Sequence, residues 1–417
     1  MSSSTVDPTL HPTTAAPAPG EPRSLRDAAV RWWADVKGGE LGALPILIGM
    51  VIIVVVFQSQ NDNFLTAGNF LNLVIQAAGI MTIAMGVVFV LLLGEIDLSV
   101  GFVSGVGGAI AALLTLPGGN WEFAGLPAIA VVLVVGLLIG TLNGLLFTKV
   151  GIPSFVVTLA GLLAWNGAVL VLIGDQGTVV IQSQTIIDLA NGFISAAASW
   201  VLVAVGIGGY ALNQLARRRT RTSKGLPVDP VSLLALRIGV LAVALIAAVW
   251  VMNEDRGVPY VVLMLAVLFV VGSWVLTRSR FGRHVMAIGG NIEAARRAGI
   301  PVDRVRIACF AIASMMATLG GVVLASRLTS VDTGAGGGTI LLYSIAAAVI
   351  GGTSLFGGRG SIRAAVLGAI VIASIDNGLG LLGLASGTKF IITGLVLLAA
   401  VTVDSVARRN LAGSGRG

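Results

Sequence analysis

About a dozen apolar runs of bilayer-crossing length recur along the chain, and no water-soluble fold accommodates them. A helical span needs about 20 mostly apolar residues. Runs of roughly that length fall near 41–57, 72–93, 98–116, 127–148, 155–173, 196–215, 232–252, 258–276, 307–325, 341–356, 362–382 and 388–406. Only 11% of the residues are charged, against 56% hydrophobic. A soluble domain usually carries about 25% charged residues. Too few charges are present to build a water-facing surface, so lipid is the solvent for much of the chain. The 56 glycines suit that setting, because small residues let helix backbones approach closely where apolar burial no longer drives association. The expected fold class is an all-α integral membrane protein with about 12 transmembrane helices. The tenth run is short and interrupted by glycines, which leaves a half-helix or re-entrant segment open there.

The net charge of +7 would suggest nucleic acid in a soluble protein. Here the basic residues lie between apolar runs and read as topology signals, with no nucleic-acid partner implied. Arg23, Arg26, Arg31 and Lys37 precede the first run; Lys149, the stretch Ala216 to Lys224, Arg278 to Arg306, Arg359 with Arg363, and Arg408 with Arg409 follow even-numbered runs. Twelve crossings put all of them on one side, and the positive-inside preference places both termini in the cytoplasm. Residues 1–24 read as a disordered cytoplasmic tail without the apolar core of a secretory signal. Residues 25–40 form a basic interfacial segment anchored by Trp32 and Trp33, 41–406 the membrane domain, 277–306 a cytoplasmic loop within it, and 407–417 a cytoplasmic C-terminal tail. The single cysteine, Cys309, supports neither a disulfide framework nor a metal cluster.

Certain polar residues need a reason to be where they are. Glu95 and Asp97 end a long apolar run in LLLGEIDLSVG, where a buried carboxylate costs about 2.5–3.5 kcal/mol. Gly94 and Gly101 fit a broken helix whose freed backbone lines a pocket; capping of the next helix by these acids and Ser99 is the alternative. A second knot, GGTSLFGGRGS from Gly351 to Ser361, aligns loosely with the first. Gly94, Leu98 and Gly101 match Gly351, Leu355 and Gly358, a possible parallel internal repeat. No GxxxxGK[ST] occurs, so a Walker site is not expected. Gly136, Gly140 and Gly144 form a smooth stripe for close packing. Asn143, Thr158 and Asn166 either line a path for a neutral hydroxylated solute or tie helices together. Asp376, Asn377 and Arg327, at the outer side, read as gate or docking groups or as ordinary interface polarity.

The loop Thr277 to Arg306 contains a helix signal. Asn291 is an apt N-cap and Glu293 complements the helix dipole. Ala294, Ala295, Arg296 and Arg297 favour helix; Gly299 and Pro301 end it. A helix of about two turns is marginal alone, so it docks on a partner or on the lipid surface.

Four motifs in order, GEIDLSVG, NGLLFTKVGIPSFVVTLAG, SRFGRHVMAIGGNIEAARRAGI and AAAVIGGTSLFGGRGSIRAAVLGAI, carry a resemblance. The chain resembles the permease subunits of bacterial ABC sugar importers of the ribose and xylose class, from about residue 60 to 406. The extra pair of runs around Ala216 to Pro230 is similar to xylose-type members. The resemblance implies a homodimeric permease in the bacterial cytoplasmic (inner) membrane, with an ABC ATP-binding subunit beneath it and an extracytoplasmic sugar-binding protein delivering substrate. ATP and Mg would belong to the partner; this chain would bear no catalytic residue, cofactor or metal. Asn291 to Gly299 would be the coupling helix, with Arg280, Phe281, Gly282, Arg283 and Ile300 of the same motif at the ATPase surface. Replacing Ala295 with Trp is then expected to uncouple transport without unfolding the spans. Glu95 stands where the family usually has glycine. A neutral pentose or hexose fits the scarcity of charge in the spans, with xylose first. The alternatives are an ion-coupled secondary transporter, for which only Glu95, Asp97 and Asp376 offer titratable groups, and an ABC permease for nucleosides or branched-chain amino acids.

Overall fold

The computed structural model describes residues 30, 44–119, 123–226, 228, 230–396, 398 and 402. The expected tail 1–24, the Trp32–Trp33 anchor and the C-terminal tail 407–417 lie outside the described residues. From residue 44 on, the described residues fall into two compact units, one within 202–246 and the other within 44–201 and 247–402.

A helix underlies every one of the twelve apolar runs. They are α1 (Leu44–Gln60), α2 (Ala67–Leu92), α3 (Val100–Leu114), α4 (Gly125–Leu145), α5 (Ser154–Ile173), α7 (Ala196–Ser223), α8 (Val231–Asp255), α9 (Tyr260–Arg278), α12 (Val302–Leu328), α13 (Ile340–Ile350), α14 (Ile362–Leu381) and a last helix, α15, over 386–396. Between them lie α6 (Gln184–Asn191), α10 (Arg280–Gly290) and α11 (Ile292–Arg297). Among the described residues, eight helices are long and apolar enough to cross a membrane. By contrast α13 has 11 residues, about 16 Å at the helical rise, roughly half a hydrocarbon core. Gly351 and Gly352 stop it, so the expected run 341–356 is a half-length helix followed by a loop.

In the smaller unit, the arms of α7 and α8 run into a turn at Gly225, whose φ of +65° only glycine adopts readily. The amide of Leu226 closes that turn on Arg221 O at 2.9 Å.

In the larger unit α2 and α12 form the core, with the apolar windows of the two helices 89% and 72% buried. α12 packs against α4, α2 and α3, and α14 against α13 and α2. The expected glycine stripe on α4 faces α12. A Cβ on Gly136 would lie 2.8 Å from Met315 Cα, and one on Gly144 2.7 Å from Ile307 Cα. No larger residue allows that approach, and van der Waals contact is what holds helices together in lipid.

Two antiparallel pairs of short strands were not foreseen. β1 (Thr178–Val180) pairs with β4 (Ser330–Asp332), Val179 opposite Val331. β2 (Phe193–Ile194) pairs with β3 (Val258–Pro259). They gather with α6 at one end of the bundle. The opposite end, where α2 and α4 finish and α3, α5, α12 and α14 begin, carries α10 and α11 and most of the described arginines of the larger unit. We call it the basic end.

Candidate functional site

The first knot, residues 93–99, leaves α2 through Gly94 at φ +79°. Asp97, 2% exposed, accepts hydrogen bonds at Oδ1 from the Ser99 amide (2.9 Å) and hydroxyl (2.6 Å). Asn143 Nδ2 of α4 donates to Ser99 Oγ at 3.2 Å. Thr158 Oγ1 of α5 donates to Ser154 O at 2.9 Å and reaches Ile96 O at 3.4 Å. Four residues singled out from sequence, Asp97, Ser99, Asn143 and Thr158, are therefore brought together from three elements, and all are buried. Asn166 is not with them. It stands eight residues along α5, about 12 Å on, half-buried. Asp97 fits the capping alternative in part, since it takes the amide just before α3. Its Oδ2 is buried with no partner among the described residues. Burial pushes the Asp97 carboxyl up to about 6, while the Ser99 bonds pull the other way.

Glu95 points elsewhere. Its Oε1 pairs with Arg306 Nη2 at 2.9 Å, both side chains about one-sixth exposed, and its Oε2 accepts from Ser154 Oγ at 2.6 Å. The Arg306 guanidinium also lies 4.6 Å over the Phe147 ring, a favourable cation–π position for the planar guanidinium. Phe147 in turn meets Phe310 of α12 at 5.8 Å. A π-helical turn at Leu146–Val150 presents Phe147 and Lys149; such turns are frequent at functional sites. Lys149 Nζ bonds Asp303 Oδ2 at 2.6 Å on the surface. The first turns of α12 thus send one acid and one base to two different elements. An isolated carboxylate this deep would be costly; the cation and the hydroxyl make it tolerable. Sequence reading missed Arg306, Phe147 and Ser154 as site residues. The signal was Glu95 itself, an acid where glycine is usual, which demands a cation nearby.

The loop before α12 holds two helices rather than one. Ser279 Oγ caps α10 by accepting from Gly282 N at 3.0 Å. Val285 and Ile288 are buried, and Phe281 stacks 6.4 Å from Phe89 of α2. Arg280 and Arg283 are exposed. The spacing of Phe281, Val285 and Ile288 was the available helix signal, masked by Gly282 and the Gly289–Gly290 pair. Asn291 caps α11 as expected, accepting from Ala294 N at 2.9 Å, and Gly299 ends it at φ +77°. Glu293, Ala294, Arg296 and Arg297 are exposed, whereas Ala295 is 3% exposed and faces the protein. Ile300 is half-buried. The expectation for Ala295→Trp is corrected accordingly: a Trp there would overpack the interior.

The elbow between α10 and α11 touches both knots. A side chain on Gly289 would collide with Leu92 O and lie 2.5 Å from Gly358 N. Gly358 N donates to Leu92 O at 2.9 Å. A Cβ on Gly357 would lie 2.9 Å from both Gly289 O and Gly94 N. At the helix-ending glycine the alignment of the knots shifts by one residue. Gly352, at φ +102°, takes the left-handed helix-ending position of Gly94, while Gly351 sits at φ −64°. Ser99 and Ser361 precede α3 and α14, but Ser361 stands farther from its glycine than Ser99 does, so the second knot is the longer.

At the far end, Asn377 of α14 is buried. It exchanges hydrogen bonds with Asn69 of α2 at 2.9 and 3.0 Å, side-chain amide to side-chain amide. It joins two helices. Asp376 is half-buried.

A family model described as the permease component of branched-chain amino acid transport systems matches residues 69–401. The chain is 38% identical over 379 residues to the xylose transport system permease protein XylH of Escherichia coli (strain K12), covering 90% of this chain and 95% of that protein. The XylH of Haemophilus influenzae is 36% identical, covering 90% and 99%. The ribose import permease protein RbsC of Escherichia coli (strain K12) is 28% identical over 359 residues, covering 86% and 92%. No solved structure matches the chain. The chain belongs to this family of transport-system permease components.

Proposed function

We propose that the chain is the membrane-spanning permease subunit of an ATP-driven importer of a neutral monosaccharide, xylose first, in the bacterial cytoplasmic membrane. The observation that carries this reading is the end-to-end match to a xylose permease, covering 95% of it. Twelve crossings with both termini inside keep the arginine-bearing loops on the cytoplasmic face. A second copy completes the pathway, an extracytoplasmic binding protein delivers the sugar, and ATP with Mg is held by a separate ATP-binding subunit. Ion coupling is disfavoured because Glu95 is already paired with Arg306.

The exposed side of α11, with Glu293, Ala294, Arg296 and Arg297, docks on the ATPase, and Arg280 and Arg283 of α10 flank it. Movement there has two short routes inward. One is the glycine contact of Gly289 with Leu92 and Gly358. The other is α12, whose Arg306 holds Glu95 in the first knot. Asp97, Ser99, Asn143 and Thr158 are the hydroxyl, amide and acid groups that the knot would expose on opening. Asn166, Asp376 and Asn377 have weaker claims as translocation groups.

The test is uptake into vesicles holding the permease, the ATPase and the binding protein. Xylose should accumulate with ATP and not with a proton or sodium gradient alone. Accumulation on an ion gradient without the ATPase would refute the proposal. Stronger competition by leucine or a nucleoside than by xylose or ribose would refute the sugar assignment.

A further inference from the structure

A cavity of about 270 Å³ lies between α3, the far half of α12 and the turn after β4. Its scale is below that of pockets for drug-sized ligands, about 300–1,000 Å³, and suits a monosaccharide. Ser104, Arg327, Ser330 and Asp332 line it, with Leu324 and Leu328 among the apolar wall. The wall is fixed before any ligand arrives. β4 is paired to β1, and Gly336, at φ +78°, sits so close to α3 that a Cβ there would lie 2.7 Å from Gly105 N.

The polar groups of the cavity have spare capacity. Asp332 Oδ1 accepts from Gly334 N at 2.9 Å, which leaves Oδ2. Ser104 donates to Gly101 O and keeps its lone pairs. Arg327 is half-buried near the end of an apolar helix. It makes no ion pair or hydrogen bond with a described residue and feels only the longer-range charge of Asp376. A cation and a carboxylate thus share one small cavity without bridging each other. A diol satisfies both, since its hydroxyls donate to the carboxylate and accept from the guanidinium. The wall carries one group of each sign, which suits a neutral ligand better than an anion or a cation, and Leu324 and Leu328 offer an apolar surface to the C–H face of a sugar.

We infer that this cavity is a subsite for a neutral polyol, a pentose in the first instance, with Arg327 and Asp332 as the groups that read its hydroxyls. The inference rests on the proposed import of a monosaccharide. It places the recognition in the permease itself, in addition to the binding protein.

The experiment uses the whole importer in vesicles, with xylose and a deoxyxylose as probes. Arg327→Gln and Asp332→Asn should each lower maximal xylose uptake on the order of 10- to 100-fold, the value of a hydrogen bond to a charged group. They should leave the KM for loaded binding protein unchanged and should narrow the gap between xylose and its deoxy analogue. Unchanged uptake overturns the inference. So does a raised KM for the binding protein with sugar discrimination intact, which would make the pair a docking surface. As a measurement independent of those two side chains, Ser330→Cys is labelled with a small maleimide; millimolar xylose should slow the labelling, and labelling indifferent to xylose overturns the subsite. Failure of the unaltered importer to take up xylose counts against the proposed function instead.

Discussion

Asp97 and Glu95 are two residues apart and live under different physics. Asp97 is deep in the protein, and its carboxyl titrates at about 6, above the ordinary 3.8. The folded state therefore holds this proton more tightly than the unfolded state does. The group's contribution to stability is full below 3.8 and is lost as pH rises through about 6. Asp97→Asn cannot titrate, so its unfolding midpoint in detergent should be flatter than that of the unaltered protein between pH 4 and 7; equal slopes would refute the assignment. Glu95 answers to a partner. Glu95→Gln leaves Arg306 without its carboxylate and should cost roughly 1–3 kcal/mol. Combining it with Arg306→Met should cost less than the two single changes added, by about 0.5–3 kcal/mol. Simple additivity in a double-mutant cycle would show that the 2.9 Å pair carries no coupling. The sequence announced both acids as anomalies. It did not reveal their partners, because Arg306 is 211 positions from Glu95 and looks like any other loop arginine.

Among the elements, the short ones carry the surprises. The long helices follow from apolar runs and need nothing more than the solvent argument. α11 was readable from its cap and its terminal glycine, since both act within a few residues. Which side of it faces the protein depends on α12 and could not be read. That face decides the outcome of a Trp scan. Ala294→Trp should leave stability within about 0.5 kcal/mol, as at other exposed sites, and should weaken co-purification with the ATPase. Ala295→Trp should destabilise the permease by about 1–3 kcal/mol through overpacking, whatever it does to coupling. Equal thermal stability of the two variants would contradict the burial of Ala295. Gly289→Ala is the sharper probe, because its methyl group meets backbone rather than a yielding side chain. It should retain ATPase binding while losing ATP-driven uptake. The π turn after α4 and the paired strands left no mark that residue types alone disclose.

Across the whole molecule, the two knots were visible as similar strings, and their loose alignment hinted at a repeat. Their meeting at the α10–α11 elbow was not visible, because contacts between glycine backbones leave no side-chain pattern to read. The one-residue shift of the alignment has the same origin, since backbone conformation rather than residue identity marks the equivalent positions. The basic end is consequently held by ions and by bare backbone. High salt should weaken the exposed Lys149–Asp303 bridge more than the sheltered Glu95–Arg306 pair, and ATPase rates measured against ionic strength in Lys149→Met and Glu95→Gln would separate the two.

The clasp between Asn69 and Asn377 is made of another material. It has no proton to lose in the accessible pH range and no net charge for salt to shield. Acid, alkali and brine find no handle on that seam. When the medium changes, the joint between α2 and α14 keeps its hold.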